Sequence, residues 1–330
     1  MSRRVFYGAI ALGLGVGWAA MIRMPGRSHQ GPLPPLSPRE AALREVLRRD
    51  VSTLAGEIGE RNLPHHDALS AAAEFLEASL ASAGYPVRRQ EYQVAGRACR
   101  NLEGVLPGSD RAEEIVIIGG HYDSVDGSPG ANDNATGAAA VLALARAFAG
   151  SRPSRTLRFV AFVNEEPPSF QTPAMGSAVY ARRCRERRER IVAMLSLETI
   201  GYYTDAPGSQ QYPFPFNLFY PSTGNFIGFV GNLASGRLVR DTIASFRRHA
   251  SIPSEGIATF AGIPGVGWSD QWAFWQAGYP AVMVTDTALF RDTAYHTPLD
   301  TPERLDYDRL ARVVAGLEQV VAELAGAGRR

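Results

Sequence analysis

Acids and histidines recur at the ends of apolar runs in this 330-residue chain. His121 and Asp123 follow residues 115–118, and Asp133 sits within Gly130-Ala-Asn-Asp-Asn-Ala-Thr-Gly137. Glu165 and Glu166 follow residues 157–164, Glu198 closes 195–197, and Tyr295-His296 comes after 281–285. Alone, a His-x-Asp reads as a histidine with its acceptor, and an adjacent acid pair as a solvated strand end or helix start. Glu198 is harder to place, because a buried carboxylate without a partner costs several kcal/mol. Gathered at one sheet edge, two histidines and three or more carboxylates would repel or stay unsatisfied without positive charge among them. A pair of divalent ions supplies that charge. Imidazole and carboxylate without thiolate suit zinc. Two metals about 3.5 to 4 Å apart need a bridging carboxylate, and Asp133, in a tight loop between glycines, is placed to bridge. Neighbouring residues of a regular strand face opposite ways, so one of Glu165 and Glu166 would be a ligand and the other a general base.

Positioning these groups requires strands that end together. Strand signals run over 87–94, 114–119, 156–164, 193–199 and 281–285, and helical periodicity over 38–54, 67–83, 138–148, 236–249 and 307–325. This alternation predicts an α/β fold with a mixed, largely parallel central sheet and helices on both faces. In such sheets ligands bind beyond the carboxyl ends of the strands, where the acids and histidines lie. Asn132 and Asn134 read as turn formers, Asp270 as a loop acid or a cap for a helix at 271–276, and Asp300 as the cap of the turn before Pro302. His65 and His66 read as surface residues. The aromatics Tyr202, Tyr203, Tyr212, Phe214, Phe216, Phe219 and Tyr220 divide between core and the lining of an apolar side-chain pocket.

Composition narrows the function. The 34 basic residues against 33 acidic ones give a net charge of +1, too balanced for a broad nucleic-acid footprint. Every basic residue is Arg and none is Lys, which excludes a P-loop and a Schiff-base lysine. Two cysteines, Cys99 and Cys184, exclude a disulfide scaffold and a cysteine-zinc site, while one bridge or two free thiols remain open. At the N-terminus, Arg3 and Arg4 precede an uncharged stretch from Val5 to Ile22 that stops at Arg23 without a clean A-x-A site. This predicts a signal anchor, or a signal peptide, over residues 1–25. The arginines read either as positive-inside charges or as part of a twin-arginine signal. A Pro-rich linker at 26–37 would lead to a single domain at 38–330. The body would then be periplasmic or extracellular, tethered to the bacterial inner membrane only through its N-terminal segment.

The order His-x-Asp, Gly-Ala-Asn-Asp-Asn-Ala-Thr-Gly, Glu-Glu, acid, Tyr-His resembles that of the zinc aminopeptidase family M28, which includes bacterial secreted aminopeptidases, glutamate carboxypeptidase and glutaminyl cyclase. The resemblance covers roughly Arg61 to Leu310 and implies two Zn2+. By it, His121, Asp133 and Glu198 would hold one zinc, and Asp133, Glu166 and His296 the other. Glu165 would be the general base, Asp123 would orient His121, and Tyr295 could donate to the oxyanion. Asp270, in Trp268-Ser-Asp-Gln-Trp272, resembles the family's Ser-Asp loop near the site. One departure is Glu198, where many members carry Asp. The implied activity is removal of N-terminal residues from peptides with a free amine, apolar side chains preferred. The alternatives are a single-zinc glutaminyl cyclase, a carboxypeptidase and a non-catalytic binding ectodomain; retention of the whole ligand set argues against the first and the last. Nothing in the sequence sets the oligomeric state.

Overall fold

The computed structural model describes residues 21–327. The expected membrane stretch lies almost wholly outside them, and among the described residues no helix is long and apolar enough to cross a membrane. The chain enters its first helix, α1 (Pro38–Val51), through a capping box: Ser37 accepts from the Glu40 N–H, and the Glu40 carboxylate accepts from the Ser37 N–H at 2.8 Å. With Pro38 at the first turn, two donors that a helix start would leave unpaired are satisfied or removed. A wider-wound turn, Ser52–Ile58, and α2 (His66–Ser82) follow.

Eight strands then form one sheet: β1 (Val87–Val94), β2 (Arg97–Leu106), β3 (Arg111–His121), β4 (Arg155–Phe162), β5 (Arg190–Glu198), β6 (Ile227–Asn232), β7 (Ser254–Thr259) and β8 (Ala281–Thr285), in the order β1-β2-β4-β3-β5-β8-β6-β7. The centre, β4-β3-β5-β8, is parallel. The β1-β2 hairpin is antiparallel to it on one side, and β6 pairs antiparallel with β8 on the other. The expected mixed, largely parallel sheet is therefore the observed one.

Alternation explains why the central strands read as unbroken apolar runs. In β3, Val116 and Ile118 pack into one core with α1, α2, α3 (Thr136–Phe148), α5 (Gly236–His249) and α7 (Tyr307–Ala325). Ile115 and Ile117 face the second core, with Tyr180, Cys184, Phe274 and Trp275 from α4 (Gly176–Glu186) and α6 (Gln271–Gln276). Both faces are covered, so both parities of the strand are apolar. Cys99 and Cys184 are free and buried.

Residues 21–28 line the free edge of β7. The Ser254 N–H donates to Ser28 Oγ at 2.8 Å, Thr259 Oγ1 lies 3.7 Å from Met21 Sδ, and the Arg247 guanidinium donates to the carbonyls of Met24, Pro25 and Gly26.

Candidate metal centre

The carboxyl ends of β3, β4, β5 and β8 meet where Asp133 is held. Asp133 sits in the connection between β3 and α3, after Gly130, whose φ of +60° places it in the left-handed region that glycine enters without penalty. Asp300 accepts the N–H groups of Asn132 at 2.8 Å and Asp133 at 3.0 Å. It does not cap the turn before Pro302 as its sequence position suggests; a long-range contact outcompetes the local one. Asn134 donates to the Leu197 carbonyl at 2.8 Å and accepts from Thr199 at 3.2 Å, while Asn132 donates to Asp286 at 2.9 Å and accepts from Gly201 at 2.9 Å. The two asparagines thus tie the loop to the ends of β5 and β8, beyond the turn chemistry expected of them. Gly137 lets the start of α3 come close to β5, since a Cβ there would lie 2.2 Å from the Leu197 carbonyl oxygen.

β4 stops at Phe162, so Glu165 and Glu166 are not strand neighbours and the alternation argument for opposite directions does not apply. Asn164 takes a φ of +58°, a conformation asparagine tolerates. The Asp123 carboxylate then accepts the N–H of Glu165 and of Glu166, each at 3.1 Å, and turns both glutamates toward the centre. Asp123 meets His121 mainly through its backbone: Nδ1 lies 3.1 Å from the Asp123 carbonyl oxygen and 3.6 Å from Oδ1.

The cluster is arranged around Asp133. Its Oδ1 is 3.2 Å from His121 Nε2, and its Oδ2 is 3.0 Å from His296 Nε2. His121 Nε2 is also 3.2 Å from Glu198 Oε2 and 3.9 Å from Glu165 Oε2, and His296 Nε2 is 3.4 Å from Glu166 Oε1. His121, Asp133 and Glu198 form one set whose ligand atoms lie within 4.8 Å of one another, and Asp133, Glu166 and His296 another. His121 with Glu165 and Glu166 forms a third, which places Glu165 at the same centre. Tyr295 stacks on the His296 ring, with centroids 3.8 Å apart. His296 has a φ of +59°, unusual for a side chain of its size and held by its surroundings. Ser269 donates to Glu198 Oε2 at 2.6 Å.

The electrostatics show what the cluster lacks. Burial raises Glu198 to about 8, with His121 opposing and Asp133 adding to the rise. Burial likewise brings Glu166 to about 7 and pushes Glu165 well above the usual carboxylate range. Burial would lower His121, but Glu198 and Glu165 raise it well above normal; against the same effect of burial, Asp133 and Glu166 bring His296 to about 10. Four buried carboxylates face two imidazoles. His121 Nε2, Asp133 Oδ1, Glu166 Oε1 and His296 Nε2 are buried without a hydrogen bond of good geometry. Such groups are costly unless something else binds them, and oxygen and imidazole donors converging from two sides fit a pair of divalent cations.

One group at the centre, Arg61, is not anticipated by the sequence reading, and a second, Asp270, is anticipated only through the family resemblance. Arg61 is fully buried, donating to the carbonyls of Tyr122, Gly59, Pro129 and Gly130, and it anchors the loop that carries Asp133. Asp270 heads α6 without capping it and is buried, brought to about 7 by burial. Arg61 belongs to no spacing pattern that sequence alone could flag, whereas Asp270 lies in Trp268-Ser-Asp-Gln-Trp272, the segment that resembles the family's Ser-Asp loop.

The model of peptidase family M28 matches residues 101–321. The chain belongs to that family. As a member it is a zinc-dependent peptide hydrolase. It is 37% identical over 292 residues to the uncharacterized protein YfbL of Escherichia coli (strain K12), covering 86% of this chain and 88% of that one. Its fold is similar to BSAP, a zinc aminopeptidase from Bacillus subtilis, with a TM-score of 0.67, 15% identity, and 85% and 95% of the two chains covered. It is also similar to glutaminyl cyclase from Fimbriiglobus ruber, with a TM-score of 0.61, 20% identity, and 89% and 97% covered.

Proposed function

We propose that this M28 peptidase is a di-zinc aminopeptidase. The observation that carries the reading is Asp133, whose two oxygens face two different histidines, each with its own further carboxylate. In this reading His121, Asp133 and Glu198 hold one zinc, and Asp133, Glu166 and His296 the other. Zinc, when bound, supplies Lewis-acid polarisation of the scissile carbonyl and of the attacking water. Glu165, which faces the same centre, takes the proton from the attacking water and returns it to the leaving amine. Asp123 holds both glutamates in place through their N–H groups. Tyr295, fixed by its stack on His296, donates a hydrogen bond to the developing oxyanion. The side chain of the substrate's first residue enters the apolar pocket that Glu198 and Tyr295 border.

The basic, then apolar, N-terminus supports a place outside the cytoplasm with residues 1–25 at the inner membrane, where free peptide ends are the available substrates. Comparing hydrolysis of one peptide with a free and an N-acetylated terminus tests the aminopeptidase reading. Release of the first residue from the free peptide, and none from the acetylated one, is the expected result. Equal cleavage of both would refute an exopeptidase acting at the amine.

A further inference from the structure

The pocket beside the metal centre is apolar except at its far end. It is a cavity of ≈ 120 Å³, room for one long side chain and close to the size of cavities known to take a single small ring. Strand register fixes its length. Glu198 pairs with Thr285, Thr285 with Gly228, and Gly228 with Glu255, so the two acids lie in one row across β5, β8, β6 and β7. Three strand spacings separate their backbones by about 14 Å. Between them Gly228 contributes no side chain, and Phe216, Tyr220, Ile257 and Met283 supply apolar walls. A Cβ on Gly256 would point at Ile243 and Met24 on the far side of β7, so by alternation Glu255 points into the pocket.

Glu255 is poorly matched to these surroundings. Its nearest cation is Arg247, with Nη2 3.8 Å from Oε2. The N–H groups of that guanidinium go elsewhere, to the Ser254 hydroxyl and carbonyl and to the carbonyls of Met24, Pro25 and Gly26. The Tyr220 hydroxyl donates to the Gly256 carbonyl and that of Tyr212 to Pro221, so neither serves the carboxylate. Burial raises the Glu255 carboxyl above its ordinary value, against the pull of Arg247.

We propose that Glu255 makes this pocket selective for N-terminal residues with a long aliphatic stem ending in a cation, lysine or arginine. The stem lies along the aromatic and aliphatic walls, and the ammonium or guanidinium gives the carboxylate the close, charge-assisted partner that Arg247 does not. The inference rests on the aminopeptidase reading for the entry of the first residue, and it refines the expectation of a purely apolar preference.

The test compares lysyl, arginyl and norleucyl p-nitroanilides on the zinc-loaded full chain and its Glu255→Gln variant, with calorimetric binding of L-lysine and L-norleucine as a readout independent of turnover. Lysine and norleucine share the stem and differ at its end. The proposal expects the wild type to favour the lysyl over the norleucyl substrate by about tenfold in kcat/KM, to bind lysine more tightly than norleucine, and to lose both preferences in Glu255→Gln. Turnover with a lysyl to norleucyl ratio of one or less, or a preference that Glu255→Gln leaves intact, overturns the role of Glu255 and leaves the aminopeptidase reading standing. Tighter lysine binding that depends on Glu255, with no turnover of any aminoacyl anilide, supports the pocket and refutes the aminopeptidase reading. A Glu255→Gln protein that does not fold leaves the two wild-type ratios to decide.

Discussion

At the scale of the residue, the groups that would hold metal and the group that would move a proton in the proposed reading have different mutational signatures. Glu165→Gln keeps size and hydrogen bonding but removes the base, so kcat should fall by about 10² to 10⁴ with zinc content unchanged. Glu166→Gln should instead release one zinc, measured by metal analysis of the dialysed protein. The opposite pattern would mean the adjacent glutamates have exchanged roles. Ser269→Ala removes the hydroxyl that fixes Glu198 Oε2 at 2.6 Å and should weaken zinc binding by about 10- to 100-fold in a competition titration, the usual cost of losing a group that orients a ligand. His121, Asp123, Glu165, Glu166 and Glu198 could be picked out in the sequence because each lies at or just past the end of an apolar run, where an acid or imidazole is out of keeping with its neighbours, and Asp133, Tyr295 and His296 because the motifs that hold them resemble those of the family. Arg61 and Asp300 could not. Their partners are backbone groups far along the chain: Asp300 meets the N–H groups of Asn132 and Asp133, and Arg61 the carbonyls of Pro129 and Gly130. Backbone groups leave no trace in residue spacing.

At the scale of the element, the loop between β3 and α3 is held by Arg61 from behind and by a close approach to β5. Arg61→Met would leave several buried carbonyls without donors and should cost ~3 kcal/mol of stability, read from the urea midpoint. Gly137→Ala would put a methyl 2.2 Å from the Leu197 carbonyl oxygen and should destabilise by about 1 to 3 kcal/mol, because the obstacle is backbone and cannot rotate away. The strands that carry the centre were legible, as were α1, α2, α3, α5 and α7. β2, β6, β7 and α4 were not. β6 reads Ile-Gly-Phe-Val-Gly-Asn, and its two glycines weaken the strand signal. They are there for packing: a Cβ at Gly231 would lie 2.4 Å from Val239 of α5. In the sequence the strand signal of β4 continues through Val163 and Asn164, but the strand itself ends at Phe162, and Asn164 has already left the strand conformation with a φ of +58°. Past the strand end, Glu165 and Glu166 no longer alternate and both face one centre.

At the scale of the whole molecule, the sheet ends in β1 on one side and β7 on the other, and residues 21–28 lie along β7 through Ser28 and the carbonyls bound by Arg247. A protein beginning at residue 29 should therefore unfold at a lower temperature and self-associate more readily in light scattering, as uncovered edge strands do. Equal melting and monodispersity would show that the segment adds nothing. The sheet also sets the enzyme's geometry, because four strand ends of one polarity bring residues from 121 to 296 to a single point. The two-zinc assignment is the claim on which the proposed chemistry depends, and it is tested most directly by counting zinc per chain in active protein, for the wild type and for Asp133→Ala. Two zinc ions in the wild type, both lost in Asp133→Ala together with activity, is the predicted result. Full activity with a single bound zinc, or loss of only one ion from Asp133→Ala, would contradict it.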